Sequence, residues 1–225
     1  MTFDDIGGGA VPHAVTITGS RRAGHREPAE YGLLFDAYLR PFAGAGSHFY
    51  LGGAMGIDSF ALDWLAEHTP AVLTVVVPCT LADQPEQARL TVLSATRRAQ
   101  RVSLVELGAP QLGTEAYHAR NRWMVDRSDL VIGFPRGDNP YSGTWYTIHY
   151  GAEQARPRLI VPTMNDRATA CQLLRRLREQ RGWSWADQAR VLRAVAEWLG
   201  MTAVTSTQPT SLQRSIARWE PDRGG

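Results

Sequence analysis

His48-Phe49-Tyr50-Leu51-Gly52-Gly53-Ala54-Met55-Gly56-Ile57-Asp58 reads as a strand, a glycine-rich turn and the start of a helix. His48 to Leu51 is a short strand-forming run that Gly52 ends. From Ile57 to Glu67, Phe60, Ala61, Trp64 and Leu65 recur at a helical period. Small residues in such a turn let a ligand approach the backbone, and the unpaired N–H groups at a helix start favour an anion. The turn is neither G-x-G-x-x-G nor a Walker A loop, which needs Gly-Lys-Ser/Thr. Asp58 either caps the helix or holds a ribose hydroxyl.

The same alternation continues on both sides. Upstream, Ala14-Val15-Thr16-Ile17-Thr18 is a buried-strand run ending in Gly19-Ser20, followed by helical periodicity from Pro28 to Phe42. Downstream, strands are predicted at Ala71–Val77, Val102–Glu106, Leu130–Phe134 and Arg158–Val161. Helices are predicted between them at Pro85–Gln100, Ala116–Asp126 and Gly143–Ala155. Several strands are continuous apolar runs, as where both faces of a sheet are covered. Strand and helix in regular alternation predict an α/β fold, a doubly wound, mostly parallel, Rossmann-like sheet.

Beyond Pro162 the texture changes. Residues 166–225 carry ten arginines and six acids, a local +4, so with +2 overall the remainder nets about −2. Helical patterns run over 168–181, 184–199 and 211–219. The organisation predicted is a flexible arm at 1–11, a nucleotide-binding domain at 12–164 and a small all-helical appendage at 165–225.

All 24 basic residues are arginine, so any phosphate recognition uses forked guanidiniums rather than ammoniums. The two cysteines, Cys79 and Cys171, read as reduced and structural. The six histidines make no metal spacing with Cys, Asp or Glu. The N-terminus lacks a basic signal-peptide head, and no apolar run approaches the roughly 20 residues of a membrane span. A cytoplasmic protein is expected.

Three loops fall at carboxyl ends of predicted strands, where ligands of such sheets sit. Gly19-Ser20-Arg21-Arg22 is either a phosphate loop or an ordinary turn. Gly52 to Asp58 is the second. The third pairs Arg120-Asn121-Arg122 with Ser142-Gly143-Thr144 at a helix start, with Arg120 completing a phosphate clamp and His118 and His149 flanking it. Arg122 reads as part of a solvated helix face.

Taken together, these loops resemble the SLOG superfamily, which includes the Rossmann domain of DNA-processing protein A (DprA) and the LOG phosphoribohydrolases. The resemblance covers about residues 12–162 and rests on Gly19-Ser20-Arg21, on Gly52-Gly53-Ala54-Met55-Gly56-Ile57-Asp58 with Ala61, on Arg120-Asn121-Arg122 with Met124, and on Ser142-Gly143-Thr144. It implies a pocket for a nucleotide or nucleotide-derived ligand lined by Gly19, Ser20, Arg21, Gly52, Gly53, Ala54, Gly56, Asp58, Arg120, Asn121, Ser142, Gly143 and Thr144, and it allows a homodimer. LOG enzymes resemble Pro-Gly-Gly-x-Gly-Thr-x-x-Glu at the last motif. Thr147 stands here where their catalytic glutamate would be, and a hydroxyl has no carboxylate chemistry to offer. Cleavage of an N-glycosidic bond would then fall to Asp58, Arg120 or Glu153.

Residues 173–189 resemble the first two helices of a Cro/repressor-type helix-turn-helix, and 216–220 the end of its recognition helix. That resemblance implies Gly182 after one helix, Ser184 as the cap of the next, and Gln213, Arg214 and Arg218 facing DNA. Three functions follow: a nucleotide sensor with a DNA-binding appendage, a nucleotide N-glycosidase, or a DprA-like single-stranded-DNA binder.

Overall fold

The computed structural model describes residues 12–24, 26–163, 174–175, 178–198, 208, 210–211 and 214. The chain divides into two compact units, Met1–Thr163 and Met164–Gly225.

The first unit alternates strand and helix: β1 (Ala14–Gly19), α1 (Pro28–Tyr38), β2 (His48–Leu51), α2 (Ile57–His68), β3 (Val72–Val77), α3 (Glu86–Arg98), β4 (Val102–Glu106), α4 (Thr114–Asp126), β5 (Leu130–Phe134), α5 (Gly143–Glu153) and β6 (Arg158–Ile160). The strands form one six-stranded sheet in the order β4-β3-β2-β1-β5-β6, and every neighbouring pair is parallel. The predicted parallel α/β architecture is what the chain adopts. The chain steps outward from β1 to β4, then returns to the far side of β1 for β5. Strand order therefore reverses at β1, and the crevice beyond the carboxyl ends of β1 and β5 is the switch point.

The sheet's two faces differ chemically. Register places Val15, Phe49, Leu73, Val102 and Leu130 in one row, part of the main apolar core with Tyr31, Phe35 and Leu65. Phe35 meets Phe134 edge-on at 5.5 Å between ring centroids and Trp64 at 6.2 Å. The next row along the strands reads Thr16, Tyr50, Thr74, Ser103 and Val131 and faces the opposite way. So β1 and β2 alternate rather than running continuously apolar. The Thr16 and Ser128 hydroxyls bond at 2.7 Å, and Tyr50 takes Trp123 of α4 edge-on at 5.9 Å.

Two predicted helices end early for local reasons. The helix from Pro28 stops at Tyr38, and Arg40–Phe42 forms a separate 3-10 turn, because Pro41 lacks the N–H that an α-helix would use there. The helix from Gly143 stops at Glu153, where Ala155 takes φ +53.

In the second unit, α6 (Trp185–Trp198) follows a reciprocal start. Ser184 and Asp187 exchange bonds, with Ser184 N donating to Asp187 Oδ2 at 3.0 Å and Asp187 N donating to Ser184 Oγ at 3.2 Å. Arg178 stacks on Trp185 at 4.3 Å, and Gln188 is buried and donates to the Leu174 carbonyl at 3.2 Å. Arg214 is exposed. Gln213 and Arg218, and the arm at 1–11, lie outside the described residues.

Candidate functional site

Parallel strands bring all three loops to one sheet edge. Gly19 ends β1, Gly52 to Gly56 join β2 to α2, and the loop from Pro135 to Ser142 joins β5 to α5. α4 lies beside α5 in the same direction: His118 stacks on Tyr146, and Asp126, further along, accepts from the Tyr150 hydroxyl at 2.8 Å. The starts of α2, α4 and α5 thus point toward the same edge, and each contributes partial positive charge there.

The small residues of the glycine turn are required by the protein's own packing. A side chain on Gly52 would run into the Arg120 guanidinium, and its Cβ would lie 2.7 Å from Asp58 Oδ2. One on Gly53, where φ is +61, would lie 2.8 Å from Val75 Cγ1. One on Gly56, where φ is +80, would lie 2.6 Å from the Arg21 carbonyl oxygen, and one on Gly19 would strike Ile57. These contacts explain why only glycine fits at these positions.

Asp58 does not cap α2. Gly56 occupies the cap position, and Asp58 turns back so that Oδ2 accepts from Ala54 N at 3.5 Å and stands 4.0 Å from Arg120 Nη1. Both side chains are buried, 8% and 6% exposed. Burial pushes the Asp58 carboxyl above its ordinary range, against the pull of Arg120 and of the Ala54 and Gly52 amides. Burial likewise lowers Arg120, with Asp58 opposing. Arg120 Nη1 donates to the Gly52 carbonyl, and its Nε has no partner. Arg120 is therefore a buttress under the turn, with Asn121 buried beside it in the sequence.

The exposed rim is different. Arg21 and Arg22 are exposed, and Arg21 lies 4.5 Å over the Tyr117 ring, which Arg120 approaches from 5.8 Å. The Ser20 hydroxyl is spent locally, accepting from Arg22 N at 3.1 Å, while Ser20 O accepts from Ile57 N at 3.1 Å. Ser142 caps α5, its hydroxyl accepting from Trp145 N at 3.3 Å. Gly143 next to it is exposed, with open space at its Cα, and Thr144 is buried. Tyr141, just before the cap, is 94% exposed.

The remaining candidates stand apart. Glu153 ends α5, about 15 Å along the axis from Gly143 at 1.5 Å per residue. The Thr147 hydroxyl is buried and donates to the Gly143 carbonyl at 2.9 Å. Arg122, expected on a solvated face, bonds Tyr146 Oη at 2.8 Å and Glu115 at 2.5 Å. Sequence reading missed Tyr117 and Tyr146. The available signal for Tyr117 was its place one helical turn before Arg120, on the same face.

With this geometry in place, solved structures share the fold. No protein-family model matches the sequence, and no curated protein does. DNA processing protein A from Helicobacter pylori, described for its single-stranded DNA binding mode, is similar at 20% identity and a TM-score of 0.50 over 69% of this chain and 68% of that one. DprA from Streptococcus pneumoniae is similar at 20% identity and a TM-score of 0.50 over 68% of this chain. The match spans about half of the pneumococcal protein, 51%. What the likeness establishes is the Rossmann-like fold. Among the described residues, no helix is long and apolar enough to cross a membrane, and no cluster of His, Cys, Asp and Glu could hold a metal ion.

Proposed function

We propose that the carboxyl edge of the sheet binds single-stranded nucleic acid along the rim of Arg21, Arg22, Tyr117, Tyr141 and the Ser142–Gly143 helix start. One observation carries this reading. The inner side of the glycine turn is filled by Arg120, Asp58, Val75 and Ile57, while guanidinium, aromatic and helix-start groups stand outside it. An open rim of that composition suits a strand whose phosphates meet arginines and whose bases stack on aromatic rings. The DprA fold, found in a protein described for its single-stranded DNA binding mode, supports the same reading. The arginine-rich residues 166–225, with a local charge of +4, add polyanion attraction from the second unit.

A mononucleotide ligand is the second reading, favoured by the capped start of α5 with Gly143 open beside it. In that case the two units act as a sensor and a DNA-binding appendage, with the nucleotide's phosphate at Gly143. Cleavage of a glycosidic bond has less support, because Asp58 is buried against Arg120 and Glu153 stands at the far end of α5.

Fluorescence anisotropy with labelled oligo-dT, a duplex of equal length and nucleoside monophosphates, at one fixed salt, separates these readings. Preferred binding of oligo-dT is expected. Binding of a monophosphate without oligo-dT would establish the second reading, and binding of none would overturn both.

A further inference from the structure

His118 lies on the second turn of α4, flat on the Tyr146 ring, with centroids 3.6 Å apart and planes within 4°. Tyr146 is itself held: its hydroxyl accepts from Arg122, which also grips Glu115. Both rings are half-buried, so the imidazole is fixed in orientation with its edge still reachable. Among the described residues neither ring nitrogen of His118 has a hydrogen-bond partner. His118 is the fifth residue of α4 and Tyr146 the fourth of α5, about 6 Å and about 4.5 Å along the axes from the respective helix starts. A pinned imidazole with both nitrogens unused beside two helix starts is placed to meet an anion.

We propose that His118 is a proton-gated contact for a strand phosphate at this mouth; the proposal rests on the single-strand reading above. Neutral imidazole offers one N–H to a phosphate oxygen, and the imidazolium adds a second donor and a charge. Other titratable groups stand nearby, His149 of α5 among them, tilted on Trp145 at 5.6 Å, and the His118→Gln comparison separates His118 from them. On α4 these are Arg122 and Glu115, which is paired with Arg122 and also interacts electrostatically with His118. From α5 comes Tyr146, bonded to Arg122. From the loop after β1 comes Arg21, stacked on Tyr117. The sheet face beneath α4 brings Thr16, Tyr50, Thr74 and a second histidine, His48, which stacks on Tyr50, bonds the Thr74 hydroxyl at 2.7 Å and has its pKa lowered by burial.

Sign follows from linkage. A bound phosphate favours the imidazolium, so it raises the His118 titration midpoint, and protonation must strengthen binding equally. A rise of about one unit corresponds to about tenfold in affinity across the titration. The experiment compares oligo-dT affinity at about pH 6 and about pH 8, the range spanning histidine titration, for the full chain and its His118→Gln variant. Imidazole NMR titration of the unmutated protein, with and without saturating oligo-dT, gives a readout independent of the variant. The unmutated chain should bind several-fold tighter at the lower pH, its His118 midpoint should rise on binding, and His118→Gln should lose most of the pH effect. A pH effect retained in full by His118→Gln, or a midpoint that does not move while oligo-dT binds, overturns the His118 assignment alone. No oligo-dT binding at either pH overturns the single-strand reading together with it.

Discussion

The guanidinium of Arg120 occupies the space that any side chain on Gly52 would need. Arg120 comes from the middle of α4 and Gly52 from the end of β2, so the contact joins the long return crossover to the turn that opens α2. Arg120 donates to the Gly52 carbonyl while Asp58, two residues into α2, stands 4.0 Å from Nη1. The three groups form one buried polar unit at the switch point, and the rim above inherits its shape from that unit.

Gly52→Ala should therefore destabilise the protein by about 1–3 kcal/mol, the usual cost of overpacking a filled interior. The effect should depend on Arg120. In an Arg120→Ala background the guanidinium clash is gone and only Asp58 Oδ2, 2.7 Å from the new methyl, must give way, so the double variant should lose less than the sum of the singles, by about 0.5–3 kcal/mol. Urea denaturation of the four proteins measures this; additive losses would show that the two residues do not share the space.

Asp58 gives the unit a pH signature. Burial holds its folded carboxyl above the ordinary range, whereas in the unfolded chain it titrates near about 3.9. Between those two values the native state binds more protons than the unfolded state, so stability falls as pH rises through the window. Asp58→Asn removes that titration. The stability of the unmutated protein relative to Asp58→Asn should rise as pH is lowered from neutral through the folded value, and level off below about 3.9. Denaturation midpoints across this range test the sign; a relative stability that falls on acidification would mean that Arg120 outweighs burial.

The fold was legible because strand and helix periods alternate cleanly and each strand ends in a turn signal; the Gly19, Gly52 and Ser142 turns lie at one edge as parallel order requires. Less legible was the direction of each side chain. Sequence placed Arg120 and the glycines in one loop cluster but could not show that the arginine fills the glycines' space, because that depends on α4 crossing back over β2 and β3. Thr16, His48, Tyr50 and Thr74 likewise share a face only once register is known. Tyr117 and Tyr146 gave no motif; their partners Arg21, His118 and Arg122 are set by helix packing. Pro41 carried a local signal against extending α1, a backbone rule that outweighed hydrophobic period.

Ser142 offers a test confined to one helix end. Its hydroxyl accepts from Trp145 N, and loss of such a cap costs about 1 kcal/mol. Ser142→Ala should lower stability by about that amount, and Ser142→Gly by a few tenths. Thermal melts resolve the two; equal losses would mean that the cap contributes through its backbone alone.

Arg21 separates binding from folding. Its side chain is exposed, stacked on Tyr117 at 4.5 Å, so Arg21→Ala should leave the denaturation midpoint almost unchanged. If it meets a strand phosphate, its loss should weaken oligo-dT and mixed-sequence strands about equally and reduce the slope of log affinity against log salt by about 0.7, the single-strand value per phosphate neutralised. Arg21→Lys keeps the charge but gives up the planar stack, so it should restore the slope and only part of the affinity. Tyr117→Leu should do the converse, weakening binding with the slope preserved, because the ring orients the guanidinium without neutralising a phosphate. Anisotropy titrations at several salt concentrations measure all three. An unchanged slope in Arg21→Ala would place the phosphate path elsewhere on the rim, whereas equal slopes in Arg21→Ala and Arg21→Lys, both reduced, would make planar guanidinium geometry the requirement.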